Sequence, residues 1–223
     1  MTNPIKAERF SGWTEEQINA YHNEKARKKK AARDKIVASK TNEKGLLIVH
    51  TGKGKGKSTA AFGLAVRAIG NGMRVGIVQF VKGKWETGER RVIEAFPDQV
   101  AIESMGEGFT WETQDRARDI AAAERAWALV CEMIEQTKNP SPSAEGFDML
   151  VLDELNIVLR YDYLDLNMVL ETLAKRPQGL HVVVTGRNAK PELIEAADLV
   201  TEMTEIKHPF RLQGIKAQKG VEF

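Results

Sequence analysis

Three glycines and three lysines alternate along Gly52-Lys53-Gly54-Lys55-Gly56-Lys57, and Ser58 and Thr59 follow at once. The pattern suits the capture of a polyphosphate. Glycine permits the backbone conformations that turn successive N–H groups toward one point. A helix that opens near Lys57 adds unpaired N–H donors and the positive end of its dipole. The Lys57 ammonium then lies against the outer phosphates, and the Ser58 hydroxyl is placed to hold Mg²⁺. A second acidic signal complements the first. Asp153 and Glu154 close the run Phe147-Asp148-Met149-Leu150-Val151-Leu152. Asp153 is placed to bind Mg²⁺ directly or through water, and Glu154 to orient a water or a metal-bound water. An Asp-Glu pair after a strand is common by chance; paired with an upstream phosphate loop it carries much more weight.

Such residues work only if strands and helices deliver them to one edge. Leu46-Leu47-Ile48-Val49 reads as a buried strand before the loop, and Ala60 to Val66 as a helix after it. Strand, glycine turn and helix in that order is the setting a phosphate loop requires. The loop departs from G-x-x-x-x-G-K-[ST] in one respect. The position five before Gly56 is Thr51, and counted from Gly52 the loop is one residue short. Gly70-Asn71-Gly72 ends the helix, and Arg74 to Val81 is the next strand, which completes a parallel βαβ unit. The polar stretch Lys82 to Arg91 follows at that strand's carboxyl end, where ligand crevices form. It is a site candidate, with a plain solvent loop as the equal alternative.

Val100 to Met105 reads as a third strand, leading to Phe109 and Trp111 in a glycine-flanked loop. Two such rings either plug the core or form a ligand platform. Ile120, Ala123, Trp127, Val130 or Cys131, and Ile134 recur at helical spacing and form a core stripe. Leu164 to Lys175 is a further helix, His181 to Arg187 a buried strand, Pro191 to Ala197 a short helix and Leu199 to Met203 a strand. Gly214 to Phe223 is a candidate final edge strand. Arg187 has three readings: a phosphate contact, a substrate carboxylate contact, or a pairing with an acid, the last ranked first.

In front of this core, residues 1–41 form an extension and 42–223 the nucleotide-binding domain. Thr14-Glu15-Glu16-Gln17 has capping-box form, which predicts a polar, basic helix from about Glu15 to Ala38. Lys25, Arg27, Lys28, Lys29, Lys30, Arg33 and Lys35 crowd it, although the 223-residue chain carries a net charge of only +2. The basic run is read as a solvated face, an anionic-ligand contact or a nucleic-acid contact, in that order. The overall charge argues against a general polyanion binder. The single cysteine, Cys131, excludes an internal disulfide, and its apolar helix face makes it a packing residue. No apolar run approaches the roughly 20 residues of a membrane span. The N-terminus lacks a secretory stretch, so cytoplasm is the default location. The four histidines are scattered, without metal-ligand spacing.

Taken together, Gly52 to Ser58, Val78-Gln79-Phe80-Val81-Lys82-Gly83, Gly88-Glu89-Arg90, Gly108-Phe109-Thr110-Trp111, Asp153-Glu154-Leu155, Thr185-Gly186-Arg187 and Lys216-Ala217-Gln218 resemble the P-loop class of ATP:corrinoid adenosyltransferases. The resemblance runs from about Gly45 to the end, and the shortened loop is that family's own form. Lys53 and Ser58 stand where many members carry Asn and Thr. The resemblance implies an α/β, RecA-type P-loop NTPase fold, a mostly parallel sheet flanked by helices, with the N-terminal helical extension in front. It implies a homodimer and transfer of the 5′-deoxyadenosyl group of ATP to Co(I) of a reduced corrinoid, releasing triphosphate. It also implies an electron donor such as a flavoprotein, and no membrane or nucleic-acid partner. It gives the ATP site to Gly52, Lys53, Gly54, Lys55, Gly56, Lys57, Ser58 and Thr59, with Mg²⁺ on Ser58 and Asp153. It sets Phe109 and Trp111 against the corrinoid's lower face, where apolar rings exclude an axial ligand and ease reduction to Co(I). Lys57, Phe109, Trp111 and Glu154 are the expected catalytic set. The rival readings are an ordinary P-loop ATPase or nucleic-acid motor, which would release ADP and phosphate, and a carrier of adenosylated corrinoid, which would not turn over.

Overall fold

The structure is a computed structural model that describes residues 10–81, 88–105, 115–140 and 145–222. It divides into two compact units, residues 1–43 and 44–223. The first holds one long helix, α1 (Glu15–Ala38), opened by the capping box that its sequence predicts. Gln17 N–H donates to Thr14 Oγ1 at 3.3 Å, and Thr14 N–H donates to Gln17 Oε1 at 2.9 Å. None of its residues is buried. Phe10, Trp13, Tyr21 and His22 gather at its start, with the Phe10 and Trp13 ring centroids 5.6 Å apart.

The second unit is built on six parallel strands: β1 (Leu47–Thr51), β2 (Val75–Gln79), β3 (Val100–Ser104), β4 (Met149–Asp153), β5 (His181–Thr185) and β6 (Leu199–Glu202). Their order is β3-β2-β4-β5-β1-β6, and every pairing is parallel. β5 therefore lies between the strand that feeds the glycine loop and the strand that ends in Asp153, the RecA-type P-loop arrangement. β1, β2 and β4 are buried at every position, as continuous apolar runs covered on both faces must be.

The side chains alternate with period two between two cores. Ile48, Val75, Ile77, Met149, Val151 and Val183 face α2 (Lys57–Gly70) and Ile93 of the short helix α3 (Gly88–Ile93). Leu47, Val49, Val78, Leu150, Leu152, Val182 and Val184 face four other helices. These are α4 (Arg116–Lys138), α5 (Leu155–Arg160), α6 (Leu166–Ala174) and α7 (Pro191–Ala196). Ala123, Ala126, Trp127, Val130 and Ile134 of α4 are buried there, the predicted stripe, with Cys131 half-buried at its margin. Burial pushes the Cys131 thiol above its ordinary value, away from nucleophile character.

Three expectations change. Gly88 to Arg91 stands in α3 rather than in a polar loop. The segment expected as a final edge strand forms no strand among residues 214–222; it follows α8 (Pro209–Gln213) and ends in turns on Gln218. The edge is taken instead by β6, exposed along its length. α5 was not expected at all. No described helix is long and apolar enough to cross a membrane.

Candidate functional site

The glycine loop leaves β1 and wraps the start of α2. Gly52 has φ 96°, and a Cβ on it would stand 2.5 Å from the Met203 carbonyl oxygen, so glycine is required on two grounds. Gly54 N–H donates to that same carbonyl at 2.6 Å, tying the loop to the end of β6. Gly56, in the left-handed region, is the N-cap residue, and α2 begins at Lys57. The first-turn N–H groups therefore open at the loop, with no acidic side chain in that turn.

Lys57 is only 7% exposed, and its Nζ donates to Gly54 O at 2.6 Å. Burial pushes its ammonium below the ordinary lysine value. The Glu154 carboxylate opposes that shift, and Arg187 and Lys55 reinforce it. Glu154 follows β4 and Arg187 follows β5, so the carboxyl ends of three strands converge electrically on one buried cation. Arg187 is exposed and pairs with no acid among the described residues, against the ranking the sequence suggested. Beside it runs an open cavity of about 670 Å³, lined in part by Gly52, Lys53, Arg160 and Arg187.

Asp153 is fully buried at the end of β4. Its Oδ1 accepts from Thr185 Oγ1 at 2.7 Å and its Oδ2 from Gln79 Nε2 at 3.1 Å. Ser104 Oγ donates to Gln79 Oε1 at 2.8 Å, and Arg90 Nη1 donates to Ser104 Oγ at 2.8 Å. Glu154 adopts φ 65°, and its N–H donates to Thr185 Oγ1 at 2.9 Å. The left-handed turn starts α5 without a loop. Gly186, at φ 128°, makes room for it, since a Cβ there would meet Asn156 Cβ at 2.8 Å and Glu154 Oε2 at 3.0 Å.

The structure thus brings Lys57, Asp153 and Glu154 to one edge, with Ser58 as the second residue of α2. Lys53 and Lys55 extend from the loop, and Lys55 ion-pairs with Glu222. Phe109 and Trp111, and the stretch Lys82 to Thr87, lie outside the described residues. Sequence reasoning gave no role to Gln79, Ser104 or Thr185. Each stands at the end of its strand, and a polar residue closing an apolar run was the signal that could have found them. His50, on the strand before the loop, is buried with neither ring nitrogen hydrogen-bonded, and burial holds it toward the neutral form.

Comparison with known proteins gives a consistent result. The family described as ATP:corrinoid adenosyltransferase BtuR/CobO/CobP matches residues 43–223. A corrinoid adenosyltransferase of Sinorhizobium sp. is 58% identical over 210 residues, covering 93% of this chain and 94% of its own. One from Pseudomonas aeruginosa is 52% identical over 202 residues, covering 91% and 95%. The Salmonella typhimurium corrinoid adenosyltransferase CobA is 44% identical over 190 residues, covering 85% and 91%.

Proposed function

The chain belongs to the ATP:corrinoid adenosyltransferase family, and from that premise we propose how its own residues share the work. The reaction is transfer of the adenosyl group of ATP to a reduced corrinoid in cobalamin biosynthesis. Co(I) supplies an electron pair to C5′, the C5′–O bond breaks, and triphosphate departs with the electrons of that bond. The nucleophile is the substrate's own metal, so the protein's task is to hold, orient and neutralise.

The observation that carries the assignment is the buried Lys57, whose ammonium is bonded to the Gly54 carbonyl within the glycine loop, with Asp153 fully buried at the end of β4. We assign the triphosphate to Gly52, Lys53, Gly54, Lys55, Gly56, Lys57, Ser58 and Thr59. On binding, Lys57 exchanges the Gly54 carbonyl for phosphate oxygen, and the charge that develops on the leaving group meets a cation already in place. Ser58 and Asp153 are the residues that would hold Mg²⁺. The donors fit: both offer hard oxygen, and Mg²⁺ commonly takes one or two carboxylates while substrate phosphates and waters complete its shell. The bonds from Thr185 and Gln79 fix the Asp153 carboxylate as supporting residues fix a metal ligand. Bound there, Mg²⁺ would neutralise charge on the departing triphosphate. The Glu154 carboxylate favours the charged form of Lys57 and is assigned to orient that ammonium or a nearby water.

Phe109 and Trp111 are assigned by family resemblance to the corrinoid's lower face, as catalytic residues that exclude an axial ligand. A homodimer, a flavoprotein electron donor and a cytoplasmic location complete the proposal on the same ground.

The test is anaerobic. Protein, Mg-ATP and chemically reduced cob(I)alamin are mixed, the corrinoid spectrum is followed, and the phosphate product is identified. A cobalt–carbon product with triphosphate over many turnovers is expected. ADP and phosphate without corrinoid change would overturn the assignment. In the same assay Trp111→Ala should lose transfer while ATP binding persists, and unchanged turnover would remove Trp111 from the site.

A further inference from the structure

Lysines of the phosphate loop have partners within the protein. Three lysines fall within five residues, and Lys57, whose ammonium is lowered chiefly by burial, is also disfavoured by Lys55. Two of the three are occupied from within the protein. Lys57 donates to the loop's own Gly54 carbonyl, and Lys55 ion-pairs with Glu222, 167 positions away in the chain. Glu222 is not a loose surface acid. Its side chain is 18% exposed, against 52% for Lys55. The segment that carries it is folded back by two bonds to one carbonyl: Val221 N–H and Glu222 N–H both donate to Gln218 O, at 3.1 and 2.9 Å. Gly220, at φ 82°, permits that turn. A carboxylate is thereby held against a phosphate-binding lysine.

We propose that Glu222 is a positioning residue for product release, a tethered carboxylate that competes with triphosphate for Lys55. This rests on the assignment of the triphosphate to the glycine loop. The physical need is clear from the reaction. Adenosyl transfer leaves the whole triphosphate behind, with its full charge, in a loop built of amide donors and lysines. What holds the leaving group well also retains it. A carboxylate within reach of Lys55 offers the ammonium a replacement partner as the anion departs, and its negative charge repels the anion that remains. Two effects oppose each other here. Glu222 also restricts the Lys55 side chain, which would lower the entropy cost of meeting phosphate. The repulsion acts on a ligand of several negative charges, so the net effect of Glu222 is to weaken anion binding.

The test measures binding of inorganic tripolyphosphate to the full chain by calorimetry. Glu222→Gln should bind it about threefold to fivefold more tightly than the wild type, the scale of one exposed ion pair. Glu222→Asp, which keeps the charge, should stay near wild type. In a Lys55→Met background, Glu222→Gln should gain at most a small part of that increment. In turnover, Glu222→Gln should show stronger product inhibition by tripolyphosphate, a readout that a merely structural residue would not move in that direction. A chain ending at Gly220 is the second variant, with the same expectation. Equal or weaker binding by Glu222→Gln and the truncation, or an undiminished gain without Lys55, overturns the proposal. If the wild type binds no tripolyphosphate, the assignment of the loop itself falls, and this inference with it.

Discussion

Under the proposed assignment, Lys57 joins the reaction to the fold at the scale of one side chain. It is buried, and its ammonium is held below the ordinary lysine value chiefly by that burial. A lysine kept for stability would gain from its surroundings; this one does not. Because its folded value is lower than its unfolded one, the charge costs stability throughout the neutral range. The cost fades only as pH rises through the depressed value toward 10.5. Lys57→Met also loses the bond to Gly54 O, which offsets part of the gain. Its stability to urea at pH 7 should therefore stay within about 1 kcal/mol of wild type, or rise. Transfer should fall by about 10²–10³ in kcat, the usual consequence of removing one preorganised charge. A large loss of stability would show that Lys57 is structural. The placement of Lys57 and Ser58 at the start of α2 and of Asp153 at the end of β4 was legible in the sequence, because strand, glycine turn and helix are local signals. Gln79 and Thr185 were not, because their bonds to Asp153 depend on β2 and β5 lying on either side of β4. Strand order is a property of the whole sheet that no local pattern encodes.

At the scale of elements, β6 raises a problem. It is the exposed edge of the sheet, with Leu199 47% and Val200 37% exposed, yet its end carries the Met203 carbonyl that anchors the glycine loop. Burial contributes little, so the ladder to β1 and polar contacts at its start hold it. Asp198 supplies them. Its Oδ2 accepts from Leu47 N–H at 2.9 Å, its Oδ1 pairs with Lys44, and its own N–H donates to Leu47 O at 2.8 Å. The Lys44 hydrogen bond and then the Leu47 N–H hold its carboxyl below the usual aspartate value. A depressed carboxylate contributes stability that is present above its unfolded value near 3.8 and is lost as pH falls through the folded value. Asp198→Asn should thus cost about 1 kcal/mol at pH 7, discounted for partial exposure, and the difference should begin to narrow as pH falls below 3.8. Urea unfolding at pH 7 and pH 3 checks this; a gap at pH 3 as large as that at pH 7 would mean the effect is not the charge. Most elements were legible from apolar runs and helical spacing. α5 was not, because the left-handed Glu154 lets a helix begin directly after β4, and a non-glycine residue at φ 65° leaves no trace in composition. The last stretch alternates like a strand over Lys216 to Phe223, but the edge beside β1 is already taken by β6.

For the whole molecule, the question is what residues 1–43 are for. Both cores lie in the unit that starts at Lys44. Helix α1 contributes no buried residue, and Ile36 and Val37 are 61% and 60% exposed. Its capping box contributes about 1 kcal/mol, and the exposed Glu24 pairs with Arg27 and Lys28 add little. A helix that is polar on every face is rarely stable by itself. This one therefore has its purpose in something it meets. The aromatic group of Phe10, Trp13, Tyr21 and His22 at its start gives it a surface suited to a large, flat, partly apolar ligand. We propose, on family resemblance, that this ligand is the corrinoid. Removal of residues 1–40 should leave the melting temperature within about 2 °C, since no core residue is lost. It should weaken corrinoid binding by tenfold or more, measured by spectral titration, while ATP binding changes less than twofold. Equal weakening of both ligands would instead assign the extension to folding of the nucleotide unit, and no weakening of either would return its basic face to the role of a solvated surface.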